Sequence, residues 1–193
     1  MKDAILRKAR ESAEVKEAFF RAEADRIEAL ARAMAEAFAR GGRLYVMGNG
    51  GGATDAQHVA VEFCHPIIEK RRPLPAVALT TDNALLTAIS NDRDFAKVFA
   101  DQLLTHARRG DMALALSTSG QSPNLLHALE VARDLGLMTI AFTGKDGGRL
   151  VTLADHAFVV PSFSIHRIQE THVALYHVVW DLVHVVLGEP DVV

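Results

Sequence analysis

The chain has 193 residues, 49% of them hydrophobic and 23% charged, with a net charge of −3; this is enough for one domain with a full core, and gives no electrostatic reason to expect nucleic acid or anionic lipid as a partner. The single cysteine, Cys64, excludes an intrachain disulfide and fits a reducing compartment. The start Met1-Lys2-Asp3-Ala4 lacks the apolar core of a signal peptide, and no apolar run approaches the ~20 residues that span a bilayer, so a cytoplasmic location is the expectation.

Residues 3 to about 40 read as helix, being rich in Ala, Glu and Arg and free of Gly and Pro. Phe19, Phe20, Ile27, Leu30, Ala31, Met34 and Phe38 follow a helical period. The length favours two helices with a bend near Ser12–Lys16. This segment precedes the first strand and is not needed to wind a sheet, so its apolar stripe packs on its own domain or on a partner subunit. Gly41-Gly42 ends it. Strands are expected at 43–47, 76–79, 112–116, 138–142 and 157–160. Helices are expected at 53–67, 83–89, 95–107, after the Ser117–Asn124 loop to Leu135, and from about His166 to Leu187. Ser90-Asn91-Asp92-Arg93-Asp94 reads as a polar loop. Short apolar runs alternating with helices imply a parallel sheet covered on both faces, with ligands at the C-terminal strand edge. The 193 residues read as one domain, a helical segment over 1–40 followed by an αβα sandwich over 41–193.

Val46 to Glu62 is the stretch around which the rest is organised. An apolar strand runs into four glycines within five residues, Gly48 to Gly52, and then into a helical pattern. Glycines let bare backbone N–H groups approach an anion, and the first helical turn leaves donors unpaired. One turn further on, His58 and Glu62 stand at i and i+4 on one helix face; alone, that pair reads as an ordinary exposed ion pair. Ser117-Thr118-Ser119-Gly120-Gln121-Ser122 carries four hydroxyls between a buried strand and a helix. One hydroxyl explains a helix cap, whereas four suit a phosphate monoester. Gly48-Asn49-Gly50-Gly51-Gly52-Ala53 also fits the dinucleotide pattern G-x-G-x-x-A. That reading wants an acidic residue at the end of the second strand; Glu69 falls before the strand and Asp82 too late, so sugar phosphate ranks above nicotinamide. His177 lies in an apolar run on the last helix, where a lone His is more often a core residue.

The motifs G-N-G-G, D-A-x-H-x-A-x-E, N-D, S-T-S-G-x-S, T-G-K-D-G-G and R-I-Q-E-x-H, with a second His five residues on, occur in this order. On them the chain resembles the sugar isomerase (SIS) domain family, and within it the bacterial phosphoheptose isomerases, from the N-terminal helices to the last one. The resemblance implies a doubly wound, five-stranded, flavodoxin-like parallel sheet. It implies that Asn49, Gly50, Gly51, Asn91, Asp92 and Gln169 hold substrate, and that Ser117, Thr118, Ser119 and Ser122 hold its phosphate. His58, Glu62, Gln169 and His177 match the family's ligands for one Zn²⁺ per subunit, and Glu62 and His177 its acid/base pair. It implies a homotetramer with the N-terminal helices in its core, and conversion of sedoheptulose 7-phosphate to D-glycero-D-manno-heptose 7-phosphate in nucleotide-activated heptose synthesis. The residue types suit that chemistry: a carboxylate can take the proton moved between C1 and C2 through an enediol, and an imidazole can serve the oxygens near neutral pH.

Gln169 and His177 are eight residues apart, roughly 12 Å along one helix, so a pocket shared between subunits is the expectation. The chain departs from the family pattern at Gly52, where a Ser is usual; at Phe63-Cys64-His65-Pro66, where the pattern continues towards Gly-Arg and where His65 or Arg71 is a candidate replacement; and at His166, where some relatives have Asp. These departures bear on substrate identity. The alternatives are a non-catalytic SIS regulator of the kind that binds the replication initiator, and an isomerase or sensor of another sugar phosphate. His106 and His127 read as solvated helix residues, His172 and His184 as packing or supporting groups, and Lys145 and Asp146 as residues lining the pocket.

Overall fold

The computed structural model describes residues 1–67 and 71–191, so Glu69 lies outside the described residues. In chain order the elements are α1 (Lys2–Ala39), β1 (Leu44–Gly48), α2 (Gly51–Cys64), β2 (Ala76–Ala78), α3 (Asn83–Asp92), α4 (Ala100–His106), β3 (Met112–Ser117), α5 (Pro123–Leu135), β4 (Met138–Gly144), β5 (His156–Val160) and α6 (Ile165–Val186). Among the described residues the five strands form one parallel sheet in the order β2-β1-β3-β4-β5. The chain winds outwards from β1 to β2 and then back past β1 to β3. The strand order therefore reverses between β1 and β3, and a crevice opens beyond their C-terminal ends.

Alternate strand residues feed two cores. Leu44, Val46, Leu114, Leu116 and Phe142 pack with α1, α2 and α6, whereas Tyr45, Met47, Ala113 and Ala115 pack with α4 and α5. This two-sided burial is why the strands read as unbroken apolar runs.

Three expectations need correction. The N-terminal segment is one helix of 38 residues rather than two. No breaker interrupts Ser12–Lys16, the Ser12 hydroxyl donates to Glu170 on α6 at 2.6 Å, and exposed Glu–Arg pairs support the rest of the helix. Asn91 and Asp92 lie in the last turn of α3, which runs past the expected loop to Asp92, capped at its start by Asp82. Residues 95–107 divide into a 3₁₀ turn, Phe95–Lys97, and α4.

Candidate active site

β1 delivers Gly48 and Asn49 to the crevice, and β3 delivers Ser117 beside them. Gly50 adopts φ +55, a conformation that favours glycine, and so turns the chain from β1 directly into α2. Across the crevice Asn49 Nδ2 donates to Asn124 Oδ1 at 3.0 Å and Asn124 Nδ2 donates back to Asn49 Oδ1 at 2.8 Å. This reciprocal amide pair ties the glycine loop to the first turn of α5. Asn124 was visible in the sequence only as a loop residue; no spacing announces such a pairing.

Asn49, Gly52, Asp55, Ser117, Thr118, Ser119, Ser122, Gln169 and His172 line a polar cavity of about 110 Å³. Gly120 N–H donates to Ser117 Oγ (3.1 Å) and Gln121 N–H to Ser119 Oγ (3.3 Å), which shapes the loop. Ser122 precedes α5 without a side-chain cap bond, Pro123 following at the first helical position, so its hydroxyl is not spent on the helix. The Thr143–Gly148 loop backs this cradle: a Cβ at Gly148 would lie 2.5 Å from the carbonyl oxygens of Ser119 and Gly120. Lys145 and Asp146 are not among the cavity-lining residues. His172, 2% exposed, faces the cavity from below and bonds through Nε2 to the Thr143 carbonyl at 3.0 Å. Burial drives its pKa down to about 4, so the ring is neutral and its Nε2–H donates.

α2 and α6 run alongside each other in the same direction. Gln169 lies over Gly51, where a Cβ would collide with its amide nitrogen; Tyr176 meets His58, and Trp180 Nε1 donates to the Glu62 carbonyl at 2.8 Å. This register brings together three of the four residues expected to hold metal. His58 Nε2 is 3.0 Å from Glu62 Oε1 and 3.4 Å from His177 Nε2, and His177 Nε2 is 4.0 Å from the same Glu62 oxygen. A tetrahedral ion with bonds of about 2.0–2.1 Å would hold its ligands roughly 3.4 Å apart. The three residues therefore fit a metal ion. Gln169 stands about two turns away along α6, in the cavity with Ser117–Ser122. Burial, and then the adjacent His58 ring, push the His177 pKa below its ordinary value, against a smaller pull from Glu62. Burial, then the charges of Asp55 and Glu62, raise that of Tyr176, which stays a neutral hydroxyl.

Asn91 and Asp92 are exposed, with Asn91 Nδ2 donating to Asp92 Oδ1 at 2.7 Å. Asp92 lines a separate groove between α3 and α4, so within one chain these two residues do not join the cavity. Arg71 does not replace a basic contact: it is buried, paired with Asp181 and stacked on Trp180 at 4.6 Å. His65 caps the end of α2, and His166 is exposed on the first turn of α6.

A small polar cavity beside a carboxylate–imidazole group, at the reversal point of a 2-1-3-4-5 parallel sheet, is an arrangement that suits an aldose–ketose isomerase. The chain belongs to the SIS domain family, whose model matches residues 9–144. Curated relatives that match nearly its whole length are phosphoheptose isomerases: that of Thermodesulfovibrio yellowstonii is 45% identical over 98% of this chain and 94% of its own, and that of Aquifex aeolicus 46% identical over 93% and 94%. The solved phosphoheptose isomerase of Francisella tularensis superposes with a TM-score of 0.90 at 36% identity, covering 94% of this chain and 96% of that one. GmhA of Neisseria gonorrhoeae gives 0.88 at 34%, covering 94% and 97%.

Proposed function

We propose that the chain isomerises sedoheptulose 7-phosphate to D-glycero-D-manno-heptose 7-phosphate, feeding nucleotide-activated heptose synthesis. The observation that carries this reading is that α2 and α6 supply both groups: Gly52, Asp55, Gln169 and His172 to the hydroxyl-lined cavity, and Glu62 and His177, further along the same two helices, to the carboxylate–imidazole pair. The phosphate sits among Ser117, Thr118, Ser119 and Ser122. Asn49, Gly50, Gly51 and Gln169 hold the sugar, whose C1 and C2 extend along α2 towards Glu62.

Both imidazoles face Glu62 Oε1, which leaves Oε2 free to act. Glu62 Oε2 takes a proton from C1 of the ketose, the C1–H electrons form the C1=C2 bond, and the C2 carbonyl oxygen becomes an enediol oxygen. His177 moves the proton between O1 and O2, and Glu62 returns its own to C2, giving the aldose. An imidazole whose pKa is held down by burial gives up that proton readily near neutral pH. His58, Glu62 and His177 would hold a Zn²⁺ ion, with Gln169 reaching it only by leaving the cavity; the ion supplies Lewis-acid polarisation of the substrate oxygens.

The chain acts as one SIS domain within a cytoplasmic homotetramer. Ile5 and Leu6 on α1 are 60% and 58% exposed, and Val61 beside the site is 50% exposed, which a neighbouring subunit would cover. In this reading Asn91 and Asp92, outside this chain's own cavity, serve a neighbouring subunit's. The test is turnover of sedoheptulose 7-phosphate by the purified protein, with bound metal measured alongside. Formation of the aldose 7-phosphate is the expected result; a folded, oligomeric protein without turnover would leave only a sugar-phosphate scaffold.

A further inference from the structure

The Tyr176 hydroxyl ends 2.8 Å from His58 Nδ1, on the opposite side of the ring from Glu62 and His177. It makes no other hydrogen bond among the described residues. Tyr176 is 2% exposed, and the His58 ring is held edge-on against both Tyr176 (5.2 Å between centroids) and His177 (5.0 Å). These two ring contacts and the hydroxyl bond fix which edge of the imidazole faces Glu62.

Nε2 of this ring has two incompatible tasks. Without metal it lies 3.0 Å from Glu62 Oε1, a hydrogen bond in which Nε2–H is the donor. Nδ1 then carries the lone pair, and Tyr176 O–H donates to it. To hold a metal, Nε2 must present its own lone pair; the proton then sits on Nδ1 and needs an acceptor. A carboxylate or carbonyl beside Nδ1 would suit only the second state, and an N–H only the first. A hydroxyl both donates and accepts, and it changes role by turning about its C–O bond.

We infer that Tyr176 is a positioning residue that lets His58 exchange its hydrogen bond to Glu62 for a metal ion, donating to Nδ1 in the metal-free protein and accepting from Nδ1 in the loaded one. The ring changes tautomer with no net change of charge. The inference rests on the reading of His58, Glu62 and His177 as metal ligands.

The experiment compares zinc affinity, by competition with a chromophoric chelator, in the parent protein, Tyr176→Phe, His58→Ala and the double variant. Outer partners of metal-ligating histidines are typically worth about 10–100-fold in affinity. Tyr176→Phe is expected to lose that factor in the parent background and to change nothing further once His58 is gone. A purely structural role of Tyr176 in α6 would weaken zinc equally in both backgrounds and overturn the inference, as would parental affinity in Tyr176→Phe. A parent protein that binds no zinc overturns the metal reading and this inference with it. Independently of any variant, ¹⁵N NMR of the histidine-labelled parent should report Nε2–H on His58 without zinc and Nδ1–H with it; one unchanged tautomer in both states overturns the inference.

Discussion

Glu62 Oε1 and His177 Nε2 lie 4.0 Å apart although they belong to α2 and α6. The pairing follows from helices that run in the same direction with Gly51 against Gln169, His58 against Tyr176 and Glu62 against Trp180. If Glu62 is the base and His177 the acid, Glu62→Gln and His177→Ala each lower kcat on sedoheptulose 7-phosphate by about 10²–10⁴-fold. Circular dichroism and the oligomeric state stay those of the parent, because neither side chain supports the core. Near-parental rates in both variants would remove the proton-transfer assignment.

The phosphate assignment predicts a different kinetic signature. The Ser122 hydroxyl stands 3.4 Å from that of Ser117 and makes no cap bond, so its loss leaves the helix intact. A hydrogen bond to a charged group contributes about 1.5–3 kcal/mol. Ser122→Ala should therefore raise KM at least tenfold with a much smaller change in kcat, and inorganic phosphate should inhibit the variant correspondingly less. An unchanged KM would place the phosphate elsewhere.

His172 predicts how stability depends on pH. Its folded pKa of about 4 lies below the ordinary 6.5, so between these values the unfolded chain binds a proton that the folded chain refuses. This contribution is fully present above pH 6.5 and is lost as the pH falls towards 4, by roughly 3 kcal/mol for a shift of this size. His156, His177 and His184 are shifted in the same direction. His172→Gln should therefore flatten, without abolishing, the fall in urea-unfolding free energy between pH 7 and 4. A slope equal to the parent's would show that the ring is not held neutral.

Strand positions, the glycine loop and the hydroxyl loop were legible because each rests on local chemistry: apolar runs for strands buried on both faces, glycines for close backbone approach, hydroxyls ahead of a helix. The unbroken α1 was not, because Ser12, which read as a bend, finds its hydrogen-bond partner in Glu170 of α6, far away in the chain. Nor was the extent of α3, whose polar last turn, Ser90-Asn91-Asp92, looks like a loop until Asp82 is seen capping its start. The i, i+4 spacing placed His58 and Glu62 together, but only the shared direction of α2 and α6 brings His177 and Tyr176 to them and keeps Gln169 apart. The Asn49–Asn124 pair is likewise invisible until β1 and β3 are neighbours.

Gly52 stands where the family resemblance leads one to expect a serine, and introducing that serine is a stringent test of the cradle. A Cβ at position 52 would lie 2.9 Å from the Leu116 carbonyl oxygen and 3.6 Å from the Leu116 Cβ. The first of these is backbone of β3, in mid-sheet, and cannot turn aside as a side-chain tip would. To accept a serine, the first turn of α2 must therefore move off β3, taking Asp55 and the floor under Gln169 with it. Overpacking of this kind typically costs about 1–3 kcal/mol. Gly52→Ser should lower the melting temperature by several degrees and raise KM, because the added hydroxyl arrives with a displaced helix. A variant with parental melting temperature and a lower KM would show instead that β3 yields at Leu116 and that the glycine simply removes a phosphate contact.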